Sequence, residues 1–275
     1  MSSALRDELR LLPHVVAYQW RKASAFRVGL VIREALRGVG RPVVAMFVYY
    51  AMFASAGVSA LGGYSLSQLF AYLVWTSVIF KCLTDDRSLD VAEQIFDGYI
   101  TKYLVMPMSF FTLVLGQFVQ FTSLQLIASL ACWGIGAIAL PDHWPYPSSA
   151  LALLQAFALV GLGAYCYFLA SYILSCLAFW LDVVWSLLAM FRFISMFVAG
   201  VLVPVALMPD AVQSAFRYTF PYWTVFAPAE LLIGRMASDQ VATGACVLVA
   251  WVVVLQLTAA WVWRRGVARF AGAGA

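Results

Sequence analysis

Long apolar segments separated by short polar ones make up most of the chain. A helix that crosses a bilayer needs about 20 mostly apolar residues. Several segments approach this length, and the nearly continuous apolar stretch 148–209 divides near residues 180–185. We therefore predict an all-α, polytopic membrane protein whose single transmembrane domain covers residues 1–275. The six predicted spans are residues 39–56, 66–83, 110–130, 150–179, 183–207 and 241–263.

Composition excludes a soluble domain. Hydrophobic residues make up 64% of the chain and charged residues only 11%, too few charges for a surface that faces water. Aromatic residues at 16% suit belts of Trp and Tyr at the two membrane interfaces. The net charge of +4 is modest and does not indicate a nucleic-acid partner. The five cysteines lie in apolar surroundings without a CxxC pair, so we interpret them as small buried side chains.

Basic residues indicate the orientation in the membrane. They are frequent in the N-terminal head, residues 1–38, and recur at Arg264, Arg265 and Arg269, whereas the loop 141–149 has none. Cytoplasmic loops carry an excess of Lys and Arg. Both termini are therefore expected in the cytoplasm, which six spans allow, and the protein is expected in the bacterial cytoplasmic membrane.

The N-terminal head has its own pattern. Residues 11–20 mix Leu, Val, Tyr and Trp with flanking Arg and Lys, which is typical of a helix lying in the membrane interface. Pro13 is expected to break this helix. The first 25 residues lack the continuous apolar core of a cleavable signal peptide, so the spans themselves are expected to direct insertion.

The acidic segment, residues 85–102, lies between the second and third predicted spans, and we predict that it is a cytoplasmic helix. At about 100° per residue, carboxylates form one stripe and apolar side chains form the adjoining face. An amphipathic helix that caps two spans is suited to contact a partner at the membrane surface, and we interpret it as a coupling helix for a separate ATPase. The stripe consists of Asp86, Asp90, Glu93 and Asp97, and the apolar face consists of Leu89, Ala92, Ile95, Phe96, Tyr99, Ile100 and Tyr103.

The acidic stripe also supports two other interpretations. Four carboxylates at this spacing could hold a divalent ion, as in a membrane-embedded, metal-dependent transferase, or they could form a solvated helix face. No second carboxylate helix accompanies them, and His14 and His143 are predicted on opposite sides of the membrane. A non-catalytic scaffold or channel component is a further alternative for the whole chain.

The sequence has no recognisable nucleotide-binding loop. A Walker A loop needs G-x-x-x-x-G-K-[ST] to surround phosphate, and the nearest fragment, residues 98–102, lacks both the spacing and the second glycine. We therefore expect no cofactor on this chain, with ATP and Mg²⁺ bound by a partner ATPase.

Prolines punctuate the apolar segment between the fifth and sixth predicted spans. Residues 203–234 are too broken for a span and too apolar for a free loop. Irregular backbone at membrane depth requires a covering of protein or a water-filled cavity. We predict two short helices that dip back into the outer leaflet as a re-entrant hairpin. The prolines are Pro204, Pro209, Pro221 and Pro228.

Two charges lie near or within predicted spans. Asp182 is expected to cap the fifth span at the cytoplasmic interface. Arg192 follows ten residues later, about 15 Å deeper, where a charge is costly and usually functional. Arg192 could line a substrate path, hold a subunit interface or pair with Glu34 or Asp182, and we favour the structural ion pair.

Three stretches resemble the permease subunits of ABC type-2 exporters, and they occur along the chain in the same order as in that family. One covers the acidic segment, one covers the end of the fifth span, and one covers the proline-rich region that follows. The opening of the second span, LGGYS, is most similar to a subgroup in which two permeases and one ATPase are often encoded together. The matching positions are Ile95, Gly98, Leu104 and Pro107; Gly200, Pro204 and Pro209; and Phe220, Pro221, Pro228 and Gly234.

This resemblance implies an ATP-driven exporter that moves an amphiphilic substrate out of the cytoplasm or the inner leaflet. The substrate would be a lipid, a polysaccharide or a drug-like compound. It also implies an ABC ATPase partner, contact with membrane lipid, and a second permease in a homodimer or a sibling heterodimer. The acidic segment, including Gly98 and Tyr99, would be the coupling site, and the stretch 203–234 would be the outer re-entrant hairpin.

Overall fold

A computed structural model of the chain describes residues 3–23, 27–57, 60–84, 87–104, 108–139 and 144–273. These residues form helices and turns, and they contain no strand beyond an isolated bridge between Leu61 and Tyr64. The all-α prediction is therefore confirmed for this part of the chain. The helices are α1 Ser3–Ala23, α2 Arg27–Ala56, α3 Leu66–Leu83, α4 Arg87–Phe96, α5 Ile100–Leu104, α6 Phe110–Ala139, α7 Ala150–Cys176, α8 Trp185–Val198, α9 Asp210–Phe216, α10 Ala227–Leu232 and α11 Gln240–Ala273.

Several of these helices are apolar, as expected of a polytopic membrane protein. Four helical stretches are long and apolar enough to cross a membrane: one begins at Leu66, and the others are Phe110–Ile138, Ala150–Phe179 and Gln240–Phe270. Two shorter apolar helices span Pro42–Ser55 and Trp185–Val198. The six-span topology itself remains a prediction.

Helix α8 is shorter than the predicted fifth span. It has 14 residues, about 21 Å at 1.5 Å per residue, whereas the hydrocarbon core of a bilayer is about 30 Å thick. The helix ends at Val198 because the chain turns at Gly200, whose φ of +72° favours glycine. A short 3-10 turn, Val205–Leu207, follows after Pro204.

Two clusters of buried apolar side chains hold the helices together. The first joins α3, α7, α10 and α11 with the π-helix Tyr222–Phe226, and it includes Tyr72 and Leu248. The second joins α4, α6, α7 and α11, and it includes Ile95 and Phe168. Because α7 contributes to both clusters, it connects the packing at one end of the molecule with that at the other.

Helix α1 packs along α6. Val15 is buried, and a Cβ atom at Gly116 of α6 would overlap its side chain. The expected break at Pro13 is wrong, since α1 continues through this residue. Contacts of the Val15 face with α6 stabilise α1 enough to offset the hydrogen bond that proline cannot donate.

Candidate functional site

The acidic segment contains two helices, not one. Helix α4 ends at Phe96, the chain turns at Gly98, and α5 begins at Ile100. Gly98 has a φ of +75°, and its N–H donates to the carbonyl oxygen of Ile95 at 3.2 Å. A left-handed glycine commonly ends a helix in this way. The expectation of a continuous helix is therefore wrong at residues 97–99, and Asp86 and Pro107 lie outside the described residues.

One face of α4 is buried against the long helices. Ile95 is 2% exposed, and Val91 and Ala92 are also buried. Val91 and Ile95 belong to the second apolar cluster, where the contributors from the long helices include Phe110, Tyr172 and Val262. The hydroxyl of Ser175 at the end of α7 donates to the carbonyl oxygen of Ser88 at 2.7 Å. Helix α4 is therefore fixed to α7 by apolar packing and by a hydrogen bond.

The opposite side of this region faces outward and combines aromatic rings with carboxylates. Phe96 is 59% exposed and Tyr99 is 65% exposed. We call this surface the α4 outer face; it consists of Asp90, Glu93, Phe96, Asp97 and Tyr99, all exposed. Exposed apolar side chains rimmed by polar groups are typical of a protein-binding surface.

The predicted division of the two faces is partly wrong. Leu89, Ala92 and Ile95 turn inward to differing degrees, but Phe96 and Tyr99, which were assigned to the same apolar face, point outward. For Tyr99 the cause is the end of the helix. Once the 100° repeat stops at Phe96, the turn at Gly98 sets the direction of Tyr99.

The metal-site alternative gains no geometric support. Asp97 lies beyond the end of α4, so it does not continue the helical stripe of Asp90 and Glu93. Within the described ranges, no three His, Cys, Asp or Glu side chains lie together in an arrangement that could hold a metal ion.

The prolines of the segment 203–234 lie at the starts of helical pieces. Pro209 is the residue before α9, Pro221 precedes the π-helix, and Pro228 lies in the first turn of α10. Proline has no N–H to donate, and the first N–H groups of a helix have no partner within it, so proline is tolerated there. Pro204 is buried and precedes the 3-10 turn, while Gly234 has a φ of +78° after α10.

The π-helix contacts α7 near the middle of its length. Phe220 stacks edge-on against Tyr167 with ring centroids 5.1 Å apart, and a Cβ atom at Gly163 would overlap Thr224. Gly163 and Tyr167 lie about 20 and 26 Å along the helix axis from Ala150, the first residue of α7.

Helix α10 then returns to the beginning of α7. There the backbone N–H of Ser148 donates to the carbonyl oxygen of Leu232 at 2.8 Å, and the Ser148 hydroxyl donates to that of Leu231 at 2.9 Å. Residues 220–232 thus run from the middle of a long apolar helix to its start.

Replacing Gly163 by alanine should destabilise the protein by about 1–3 kcal/mol, because the added methyl group overpacks a fully buried contact with Thr224. Gly161 is the matched control, since its Cβ would meet no atom within 4 Å. Gly161→Ala should be neutral or stabilising by up to about 1 kcal/mol, as expected for glycine in a helix. Thermal unfolding of the two purified variants measures the difference, and equal midpoints would contradict this packing.

A buried polar cluster joins α10 to the start of α3. Glu230 is 6% exposed; it accepts a hydrogen bond from the Tyr64 hydroxyl at 2.7 Å and another from the Arg235 Nε at 3.2 Å. The Arg235 guanidinium lies 3.9 Å from the centre of the Tyr64 ring and donates to the carbonyl oxygen of Gly63. We call Gly63, Tyr64, Glu230 and Arg235 the Glu230 cluster.

Sequence reasoning missed the Glu230 cluster. Its signal was a single carboxylate in an apolar stretch, which requires a partner when buried. The Tyr64 partner is 166 positions away in the chain, so no local pattern indicated it.

The structure changes the interpretation of one of the two charges near the fifth span. Val184 occupies the N-cap of α8 and the helix begins at Trp185, so the predicted capping role of Asp182 is wrong. Asp182 is exposed in the preceding turn. Arg192 is exposed on α8, about 10 Å along the axis from Trp185. The exposed large apolar side chains of this helix are Trp185, Met190, Phe193, Ile194 and Phe197.

Comparison with known proteins supplies a family. A family model described as an ABC-2 family transporter protein matches residues 39–274. This match covers the helices from the latter part of α2 through α11, including both the acidic segment and the Glu230 cluster. A comparison with curated proteins finds no match.

Proposed function

The chain belongs to the ABC-2 family of transporter proteins, and from this premise we propose that it is the membrane subunit of an ATP-driven exporter. The family is one of transport subunits that work with an ABC ATPase; its members are not enzymes. Membership of this family therefore excludes the transferase alternative. The proposed activity is outward movement of an amphiphilic substrate, a lipid, polysaccharide or drug-like compound, with ATP and Mg²⁺ bound by the partner ATPase.

The two-sided packing of α4 carries this proposal. Its inner face belongs to a cluster that includes α6, α7 and α11, while its outer face is exposed. An ATPase that binds the α4 outer face would displace α4, and close packing would transmit this displacement to the long helices. These contacts would carry the movement to the third, fourth and sixth predicted spans, which correspond to α6, α7 and α11.

Measurement of ATP hydrolysis tests the proposal that the partner ATPase, and not this chain, hydrolyses ATP. We expect that the purified chain alone hydrolyses no ATP. We expect that the complex with its ABC ATPase hydrolyses ATP, and that its rate differs from the rate of the ATPase without the chain. The control is the same complex with an ATPase whose Walker A lysine is replaced, which should be inactive. Nucleotide hydrolysis by the chain alone would contradict the proposal.

The proposed topology has six spans, with both termini in the cytoplasm of a bacterium and a re-entrant hairpin on the outer side. The contacts of Phe220 and Thr224 halfway along α7 support a segment that enters and leaves on the same side. In this arrangement, residues 199–205 complete the fifth span as irregular backbone. Ala199, Val201 and Val205 are buried, which meets the requirement that such backbone be covered by protein.

The exposed apolar face of α8 supports a second permease as partner. Its aromatic and aliphatic side chains flank Arg192 along one helix, and apolar side chains beside a charge suit a partner helix better than lipid alone. We propose that this face packs against a second permease, either another copy of the chain or a sibling, with Arg192 at the subunit interface.

A further inference from the structure

An apolar groove lies on the molecule between α2, α3 and α6. Its volume is about 600 Å³, within the range of small-molecule sites. The walls are mainly aromatic and aliphatic and include Phe47 and Tyr50 of α2, Phe70 and Val74 of α3, and Trp133 of α6. The groove is distinct from the α4 outer face and from the Glu230 cluster.

The length of the groove matches one leaflet of a bilayer. Along α3 it extends from Phe70 to Lys81, eleven residues or about 16 Å. Half of the hydrocarbon core is about 15 Å. The fit indicates an occupant that extends through one leaflet.

Polar lining groups are few, and one of them is a cation. Ser77, Lys81 and Ser129 line the groove. Lys81 lies in the last turn of α3, directly before the polar acidic segment. A lysine near the end of a span extends its ammonium group toward the interface while its aliphatic stem lies along apolar surface. The groove thus combines apolar walls with a positive charge where a headgroup would lie.

We propose that this groove binds an anionic phospholipid, with one acyl chain along α3 and the headgroup phosphate beside Lys81. The charge of Lys81 complements an anionic headgroup more than a zwitterionic one. This inference requires a membrane around the chain but does not depend on transport or on an ATPase.

Quenching of tryptophan fluorescence by brominated acyl chains tests the site, because Trp133 and Trp144 line the groove. The full chain is reconstituted in phosphatidylcholine vesicles that contain either brominated phosphatidylglycerol or brominated phosphatidylcholine. The contribution of the groove is the part of the fluorescence quenching that is absent in the W133F/W144F variant. We expect the anionic lipid to bind about fivefold more tightly than the zwitterionic lipid; equal quenching by the two lipids would overturn the proposal.

Charge variants distinguish a specific lipid-binding site from general electrostatic attraction between the protein and the anionic membrane. Lys81→Gln should remove the preference for the anionic lipid, and Lys81→Arg should retain it. Lys102→Gln, which removes an exposed cation outside the groove, should leave the preference unchanged. A preference that survives Lys81→Gln would overturn the proposal.

Filling the groove separates a bound lipid from lipid that only surrounds the protein. Val74→Phe should reduce groove quenching by both brominated lipids. Unchanged quenching would mean surrounding lipid only, and absence of groove quenching in the unmodified chain would mean that another occupant, such as a second copy, covers the groove. Either result would overturn the proposal.

Discussion

Replacing Phe96 by alanine should weaken ATPase binding at least tenfold and reduce ATP hydrolysis by the complex accordingly, while the chain remains folded. Phe96 is 59% exposed and lies between Glu93 and Asp97 on the α4 outer face. Truncation of an aromatic side chain at the centre of an interface commonly costs more than 1.4 kcal/mol, which corresponds to a factor of ten in affinity. The double variant F96A/Y99A should lose more. Titration of purified chain with the ATPase measures the affinity.

Ile95 and Leu257 provide the controls. Ile95 is the neighbouring residue but is 2% exposed, so Ile95→Ala should destabilise the fold by about 2–5 kcal/mol and lower the unfolding midpoint. Leu257 is a large exposed side chain on α11, and Leu257→Ala should change neither stability nor ATPase affinity. An F96A/Y99A variant with unchanged affinity would show that the ATPase docks elsewhere.

Replacing Glu230 by alanine should destabilise the protein by about 3 kcal/mol. Removing one member of a buried ion pair leaves the other charge uncompensated, at a cost of about 3–5 kcal/mol; the lower end applies because the Arg235 side chain is 24% exposed. The Tyr64 hydroxyl also loses its acceptor. We expect the thermal unfolding midpoint in detergent to fall by roughly 6 °C or more.

Two comparisons make the Glu230 prediction specific. Glu230→Gln retains an oxygen that can accept from Tyr64, so its midpoint should fall less. Asp239 is exposed in the turn before α11, and Asp239→Ala should be nearly neutral, as surface substitutions usually are. A midpoint for Glu230→Ala equal to that of Asp239→Ala would contradict a structural role for the Glu230 cluster.

Local periodicity predicted the existence of α4 and the inward direction of Ala92 and Ile95, but it missed the burial of Val91 and the end of the helix. A period of 3.6 residues places Ile95 beneath Val91, and both are buried. Glycine is compatible with a helix interior and with a left-handed turn, so the sequence alone did not indicate which conformation Gly98 adopts. The orientation of Tyr99 depends on that choice.

Contacts between distant segments limited the prediction elsewhere. Four prolines in an apolar stretch predicted short helical pieces, because each proline restricts where a helix can continue. The depth of those pieces against α7 depends on Gly163, which leaves room for Thr224 some 60 residues later. The partnership of Glu230 with Tyr64 depends in the same way on tertiary packing.

Site-specific photo-crosslinking at Tyr99 tests the central claim that the ATPase binds the α4 outer face. Tyr99 is 65% exposed, whereas the next residue, Ile100, is fully buried. A benzophenone side chain at position 99 should form a covalent adduct with the ABC ATPase in intact membranes, and the same group at position 100 should not. Absence of an ATPase adduct at position 99, in a complex that hydrolyses ATP, would contradict the account.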